Sequence, residues 1–369
     1  MNISIEKKPL SALSAHPAFQ QTAYWGYVKY NEGWQPNSFQ VELQDNSTAS
    51  SVPLKADLLV LTAPLSSEAT MAYIPYLPLP LPRGATEGVC LEQLSEVLKA
   101  YLPSNCVFIR YDLDWESPWS KDENRFASDG SWMGEPDPYV QEMRMNFDTH
   151  YGMLRRSPSD VLPTNTVFMD LQHSRDEIMQ GMKSKTRYNI RLSYRKGVSV
   201  REGSLEDLPA WYAIYEETVR RNGIIRSDYQ YFRNVLTARK NSKSSSVHLL
   251  LAEKDGLPVA GMFLAKSATR ATYLYGASSS SRRNLMSTYA LQWEAMNRAK
   301  IMGCEYYDMF GVAPKADPNH PMYGLYRFKT GFGGDLFHRQ GCWDYPYQEE
   351  QYELLRAAEL QAEGYHTRN

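Results

Sequence analysis

Apolar positions along this chain recur with two periods, and the changes from one to the other mark out its elements. Tyr24, Trp25, Tyr27 and Val28 stand at helical spacing behind Thr22, and Gly33 follows, which predicts a helix between a threonine cap and a glycine stop. Residues 38–43, 57–62 and 71–74 have the short apolar runs of strands. Pro75, Pro78, Pro80 and Pro82 then rule out helix or central strand, so residues 75–84 are expected to cross in an extended, polyproline-like form. Residues 91–101 return to helix spacing, and 107–112 read as a buried strand that ends on the charged pair Arg110 and Asp112. From 113 to 140 no period is visible, although Trp115, Trp119 and Trp132 fall there, and a loop of that length suits a functional lid. The polar, proline-punctuated stretch 153–163 marks a domain boundary.

The second half opens with a strand at 166–171. A helix follows, capped by Ser174 with Glu177 three residues on, and the pattern carries it through 183–196 to Gly197. Further helices are expected at 205–221 and 229–236. Strands at 247–253 and 258–266 meet at the hairpin turn Asp255-Gly256, and a third at 271–277 carries Tyr273 and Tyr275 on one face. An amphipathic helix at 286–301 stops at Gly303, a strand covers 305–310, and a last helix covers 349–366. Strand, helices, three antiparallel strands, helix and strand make an α+β, acyltransferase-like plan, not a doubly wound sheet. No internal repeat is visible in the sequence, yet the same mixed plan fits both halves.

Length changes this picture only by supporting two domains, since 369 residues exceed one ordinary core. A chain that is 43% hydrophobic and 22% charged is an ordinary globular one, which excludes a disordered chain. Its 26 tyrosines suit a broad polar cleft or a tyrosine-rich core. With a net charge of -2, any polyanion must be met by a local patch. Cys90, Cys106, Cys304 and Cys342 lack paired spacing, so they read as reduced and buried, with neither a disulfide framework nor a zinc site. No hydrophobic leader and no apolar run of about 20 residues is present, and a cytoplasmic protein is expected.

Chemistry concentrates in three places. In residues 324–334 Lys329 follows Phe328 and precedes Gly331, Gly333 and Gly334, which read as a turn that brings a cation close to a phosphate or an oxyanion. A solvated lysine in a plain strand-to-strand turn is the competing reading. A Walker A loop is excluded, because a glycine would have to replace Phe328. From Ile178 to Arg201 there are seven basic residues and no acidic one, and Arg187, Arg191 and Arg195 share a helix face. That face fits RNA or phosphate, or merely water. Lys29 lies one turn beyond Trp25, as a ligand contact or a lysine lying over aromatics. Asp112 is either a site carboxylate or the structural partner of Arg110.

Several stretches together resemble the Fem family of non-ribosomal peptidyl transferases, in its short, FemX-like form. They are 21–25 with Gly33-Trp34, 108–112, 163–166 with Asp170-Leu171, 183–191, 196–198, 289–295, 307–312 and 328–334. The resemblance spans nearly the whole chain in order. It implies two domains built like GCN5-related N-acetyltransferases, with mixed sheets flanked by helices. These would be 1–160, joined by the C-terminal segment 341–369, and 161–340. It also implies an aminoacyl-tRNA donor and a UDP- or lipid-linked muropeptide acceptor, with no metal and no cofactor. Peripheral membrane association and a monomeric state are expected. Lys329 and Asp112 become the expected catalytic residues. Lys29, Arg226, Tyr273, Tyr275 and Phe328 are expected at substrate, and Lys183, Lys185, Arg187, Arg191 and Arg195 at tRNA.

Two departures stand out. No charged heptad insertion matches the coiled-coil arm of staphylococcal members, and Pro82-Arg83-Gly84-Ala85 replaces the family's Arg-Gly-Pro. The rival readings are a coenzyme-A N-acyltransferase and a non-catalytic RNA- or muropeptide-binding protein. The first is disfavoured because residues 278–284 contain no glycine for a pyrophosphate loop.

Overall fold

The computed structural model describes residues 2–44, 53–81, 86–128, 130–238 and 244–362. The chain divides into two units, one running to Thr164 and taking in the chain again from Arg339, the other running from Asn165 to His338.

In the first unit β1 (Asn2–Lys7) leads to α1 (Ala23–Asn31), whose cap Thr22 accepts a hydrogen bond from the Trp25 N–H. Then come β2 (Gln35–Gln44), β3 (Leu54–Pro64), β4 (Thr70–Ile74), α2 (Glu87–Lys99), β5 (Cys106–Glu116), α3 (Pro138–Met145) and the short β6 (Arg155–Arg156). Strands β1 to β4 pair antiparallel in chain order, and β5 returns parallel to β4 after α2. Ile3, Phe39, Leu58, Val60, Ile74, Leu91, Leu94, Ile109 and Trp343 fill one side of that sheet. Asp112 lies inside β5, four residues before its end, so the predicted strand end there is corrected. The lid region 113–140 begins with the rest of β5 and ends in α3, and Pro82-Arg83-Gly84-Ala85 lies outside the described residues.

In the second unit the order is β7 (Asn165–Asp170), α4 (Arg175–Gly181), α5 (Ser184–Arg195), β8 (Ser199–Glu202), α6 (Leu208–Asn222), α7 (Tyr229–Thr237), β9 (Ser245–Lys254), β10 (Leu257–Ser267), β11 (Arg270–Ser278), α8 (Ser287–Ile301), β12 (Tyr306–Asp308) and α9 (Tyr323–Lys329). Strands β8 to β11 pair antiparallel in order, and β12 returns parallel to β11 after α8. The mixed plan of the first unit thus recurs. At the β9–β10 turn Asp255 and Gly256 both take positive φ (54° and 74°), the conformation a two-residue hairpin of matching twist requires. β13 (Asp335–Pro346) gives its first four residues to β7 and its later ones to β5 and β6, and α10 (Glu349–Gln361) follows. Each unit is a mixed sheet flanked by helices, the expected α+β class.

Two expected helices take a different form. The run capped by Ser174 is not continuous: Met182 is extended (ψ 151°) and separates α4 from α5. The cause is tertiary. The Lys183 N–H leaves the helical pattern and donates to Gly331 O at 2.9 Å, and the Arg187 guanidinium takes up the carbonyls of Gln180 and Met182. Helix α8 is buried on several sides rather than amphipathic, with Ala290, Leu291, Trp293, Ala295, Met296 and Ala299 all inside.

In the first unit Arg110 is held by ion pairs to Asp344 (2.7 Å) and to Glu359 of α10 (2.8 Å). Pairing between Arg110 and Asp112, the structural alternative, is therefore not what forms. An arginine cannot shed its charge, so it is buried only where carboxylates meet it. Arg110→Met leaves Asp344 buried without its cation and should lower unfolding stability by about 3–5 kcal/mol in urea. A loss under about 1 kcal/mol would show that the pair carries little.

Candidate active site

In the second unit Lys329 ends α9 and is buried, with 3% of its surface exposed. It is not in a turn between strands, as the glycines suggested. Its Nζ donates to Phe310 O (3.0 Å) and Gly311 O (2.6 Å) and lies 5.2 Å from the centre of the Tyr273 ring. No carboxylate bonds it among the described residues. Burial pushes the amine down from 10.5 to about 7, against the opposing charge of Asp308. At neutral pH it is therefore close to half protonated, and two of its N–H groups are committed to carbonyls.

Those carbonyls are placed by strain. Phe310 has φ 59°, a conformation that costs a bulky residue about 1–3 kcal/mol. Asp308, at the end of β12, accepts from the Phe310 N–H (2.8 Å) and from the Thr166 hydroxyl, and this holds the turn. Asp308 and Thr166 lie within motif stretches but carried no predicted role. The signal available was a carboxylate two residues ahead of the turn, the spacing at which aspartate bonds its own backbone.

The glycines do not face a ligand. A Cβ on Gly333 would lie 2.3 Å from Gly181 O, and one on Gly334 2.3 Å from Phe168 O. They let the loop after Lys329 pack against the break between α4 and α5 and against β7. Phe328 packs edge-on against Tyr289 and Phe332, 5.0 and 5.3 Å between ring centres. Tyr273 and Tyr275 do not share a face. Tyr275 has φ 49° at a register shift between β10 and β11, which reverses the alternation. Tyr273 stays with Lys329, while Tyr275 joins Tyr231, Phe232 and Phe263 in a separate aromatic cluster.

On α5, Thr186, Asn189, Ile190 and Ser193 are buried, while Lys185, Arg191 and Arg195, and Lys183 at the helix cap, are exposed. None of these four basic residues has an ion pair among the described residues. Arg187 is half-buried and spent on the helix break. Arg226, between α6 and α7, is exposed and paired with Glu216 at 2.7 Å.

In the first unit Asp112 is almost wholly buried (1%) and accepts from the Tyr73 hydroxyl (3.0 Å) and the Leu162 N–H (2.9 Å). Burial, and then the neighbouring Asp160, push its acid up to about 7. The Tyr73 ring meets Trp34 at 6.1 Å, and Lys29 Nζ sits 5.1 and 5.7 Å from the ring centres of Trp25 and Trp34. Burial lowers the Lys29 amine below the ordinary lysine range, with Glu32 acting the other way. Lys29, Trp34, Tyr73 and Asp112 thus form a contiguous series, of which the sequence pointed to the two ends. Among the described residues no three His, Cys, Asp or Glu side chains group as metal ligands. The four cysteines are buried and unpaired, and among the described residues no helix is long and apolar enough to cross a membrane.

The burial of Lys329 has a sign that stability can read. Between pH 7 and 10.5 the unfolded chain keeps a proton that the folded chain has released, so this group makes stability rise with pH across that window. Lys329→Met should remove up to about 1.4 kcal/mol per pH unit of that rise, seen by comparing urea unfolding of both proteins at pH 7.5, 8.5 and 9.5. Parallel curves would mean that the amine is not desolvated as described.

Comparison with known proteins comes to the same chain from outside. The FemAB family profile matches residues 11–253 and 237–360. Lipid II:glycine glycyltransferase of Staphylococcus haemolyticus (strain JCSC1435) is 23% identical over 257 residues, 53% of this chain and 61% of that protein. The enzyme of the same name in Staphylococcus aureus (strain USA300) is 20% identical over 259 residues, 53% of this chain and 62% of that one. The chain thus spans about 61% of the length of these curated relatives. The crystal structure of FemX shares the fold, with a TM-score of 0.72, 16% identity, and coverage of 95% of this chain and 100% of that one. With its ordered motifs and a profile match over most of its length, the chain belongs to the FemAB family.

Proposed function

We propose that this protein transfers an amino acid from an aminoacyl-tRNA to a side-chain amine of the stem peptide of a peptidoglycan precursor, building a cross-bridge. Membership of the FemAB family supports the reaction class, and the relatives named lipid II:glycine glycyltransferase support the acceptor. The observation that carries the reading is Lys329: a desolvated amine poised near neutrality, set by a strained turn, whose ammonium form keeps one N–H for substrate beyond the two given to carbonyls.

The chemistry asks for little else. The acceptor amine, with an ordinary pKa near 10.4, must lose a proton before it attacks the ester carbonyl. The new C–N bond forms, an oxyanion develops, and the C–O bond to the ribose breaks as its oxygen takes up a proton. Lys329 stabilises the oxyanion or the departing ribose by donating its remaining N–H. Asp112 receives or directs the acceptor's proton through its hydrogen bond with Tyr73, both side chains being buried. Lys29 and Arg226 take precursor phosphates, Tyr273 and Phe328 line the Lys329 site, and the basic face of α5 takes the tRNA. The two domains are those of the sequence reading, and the enzyme works in the cytoplasm as a monomer, on a soluble or membrane-borne precursor.

Product mass after incubation with charged tRNAs and UDP- or lipid-linked pentapeptide tests the reaction. Lys329→Met should lower the transfer rate by about 100-fold or more, the scale of losing one oxyanion donor. Transfer at the wild-type rate would sink the role. Asp112→Asn should remove the activity limb that rises through about pH 7 while leaving the protein folded. An unchanged profile would reduce Asp112 to a structural acid.

A further inference from the structure

We infer that Tyr188 is a stacking platform for a base in the single-stranded 3′ end of an RNA lying along α5; this rests on the proposal that the donor is an aminoacyl-RNA. Tyr188 is 48% exposed on a helix whose opposite face is packed. Lys185, Arg191 and Arg195 stand three, three and seven residues away, so all four side chains share one face. Lys185 Nζ lies 5.4 Å, and the Arg195 guanidinium 5.7 Å, from the centre of the Tyr188 ring. An aromatic ring ringed by unpaired cations is the combination that binds single-stranded nucleic acid, the ring to a base and the cations to phosphates.

Magnitudes favour the exchange. A stacked base contributes more than a cation over an exposed ring. A base therefore displaces one cation from the ring, and the released cation meets a phosphate. Position fixes which part of the RNA is involved. The Lys183 N–H bonds Gly331 O, two residues beyond Lys329, so α5 starts at the Lys329 loop. Tyr188 lies five residues further, roughly 7.5 Å along the axis. An RNA whose terminal residue reaches Lys329 would pass Tyr188 within its last few unpaired nucleotides.

Anisotropy with two labelled RNA hairpins tests this, one blunt and one carrying a four-nucleotide 3′ overhang. Wild type should prefer the overhang, and Tyr188→Leu should lose about 5- to 100-fold in affinity for it alone, with its salt slope unchanged. Tyr188→Phe should bind as wild type. Replacing Lys185, Arg191 and Arg195 by Gln should cut the salt slope by about 2, which Tyr188→Leu does not do. If Tyr188→Leu keeps full overhang affinity while the Gln variant weakens, the platform is wrong and RNA binding on α5 stands. If wild type binds neither hairpin but binds phosphatidylglycerol vesicles through the same residues, both the platform and the RNA donor are overturned in favour of a lipid surface.

Discussion

Desolvation of charge is the constraint on which the candidate chemistry of this protein depends, and the Lys329 ammonium meets it without an anion. A buried ammonium without a bonded carboxylate is tolerated only if it can release its proton, and burial accordingly takes this one to about 7. What remains must be satisfied by carbonyls. Phe310 and Gly311 supply them only because the chain turns sharply after β12, and a phenylalanine at φ 59° is what that turn costs. Asp308 holds the turn from one side and leaves the amine itself unpaired. Amine, strained turn and carboxylate are thus one arrangement, and none has its present form without the others.

In the first unit the same constraint is met in two other ways. Arg110 keeps its charge, so Asp344 and Glu359 are gathered around it, and α10 is tied to β5 as a result. Asp112, two residues on, is deprived of any such cation and its acid rises to about 7. Neighbouring positions on one strand therefore become a permanent ion and a titrating acid. The difference lies in the group: a guanidinium cannot be neutralised in a protein, and a carboxyl can.

Local pattern carried most of the fold. Thr22, Ser174, Glu177 and the Asp255-Gly256 turn act through backbone groups within four residues, so their effect is legible in the sequence. What was not legible came from contacts far away in the chain. The break at Met182 exists because Gly331 O arrives to take the Lys183 N–H, and the helical pattern continues straight across it. The separation of Tyr273 from Tyr275 comes from one left-handed residue, and tyrosine is not a residue type that announces one. Around Lys329 the glycines mislead. In the sequence they read as room for a ligand, but they admit the backbone of Gly181 and Phe168. Glycine reports close approach without saying of what.

The repeated plan of the two units explains why such different chemistry stands at matching places. In each, a crossover helix is followed by a parallel strand carrying the pair Tyr-Asp, at 111–112 in β5 and at 307–308 in β12. The tyrosine bonds the crossover helix both times, Tyr111 to Ser95 of α2 and Tyr307 to Gln292 of α8. Strand and helix are thereby locked together in the same way, and the aspartate that follows is delivered to the same side of the framework. From there the environments diverge. Asp112 continues within a long strand and meets a hydroxyl and a peptide N–H, with no amine against it. Asp308 ends a three-residue strand, so its carboxylate can turn onto the backbone of Phe310 and present the next carbonyls to Lys329. Strand length after the Tyr-Asp pair, more than the pair itself, decides whether the position offers an acid or organises an amine.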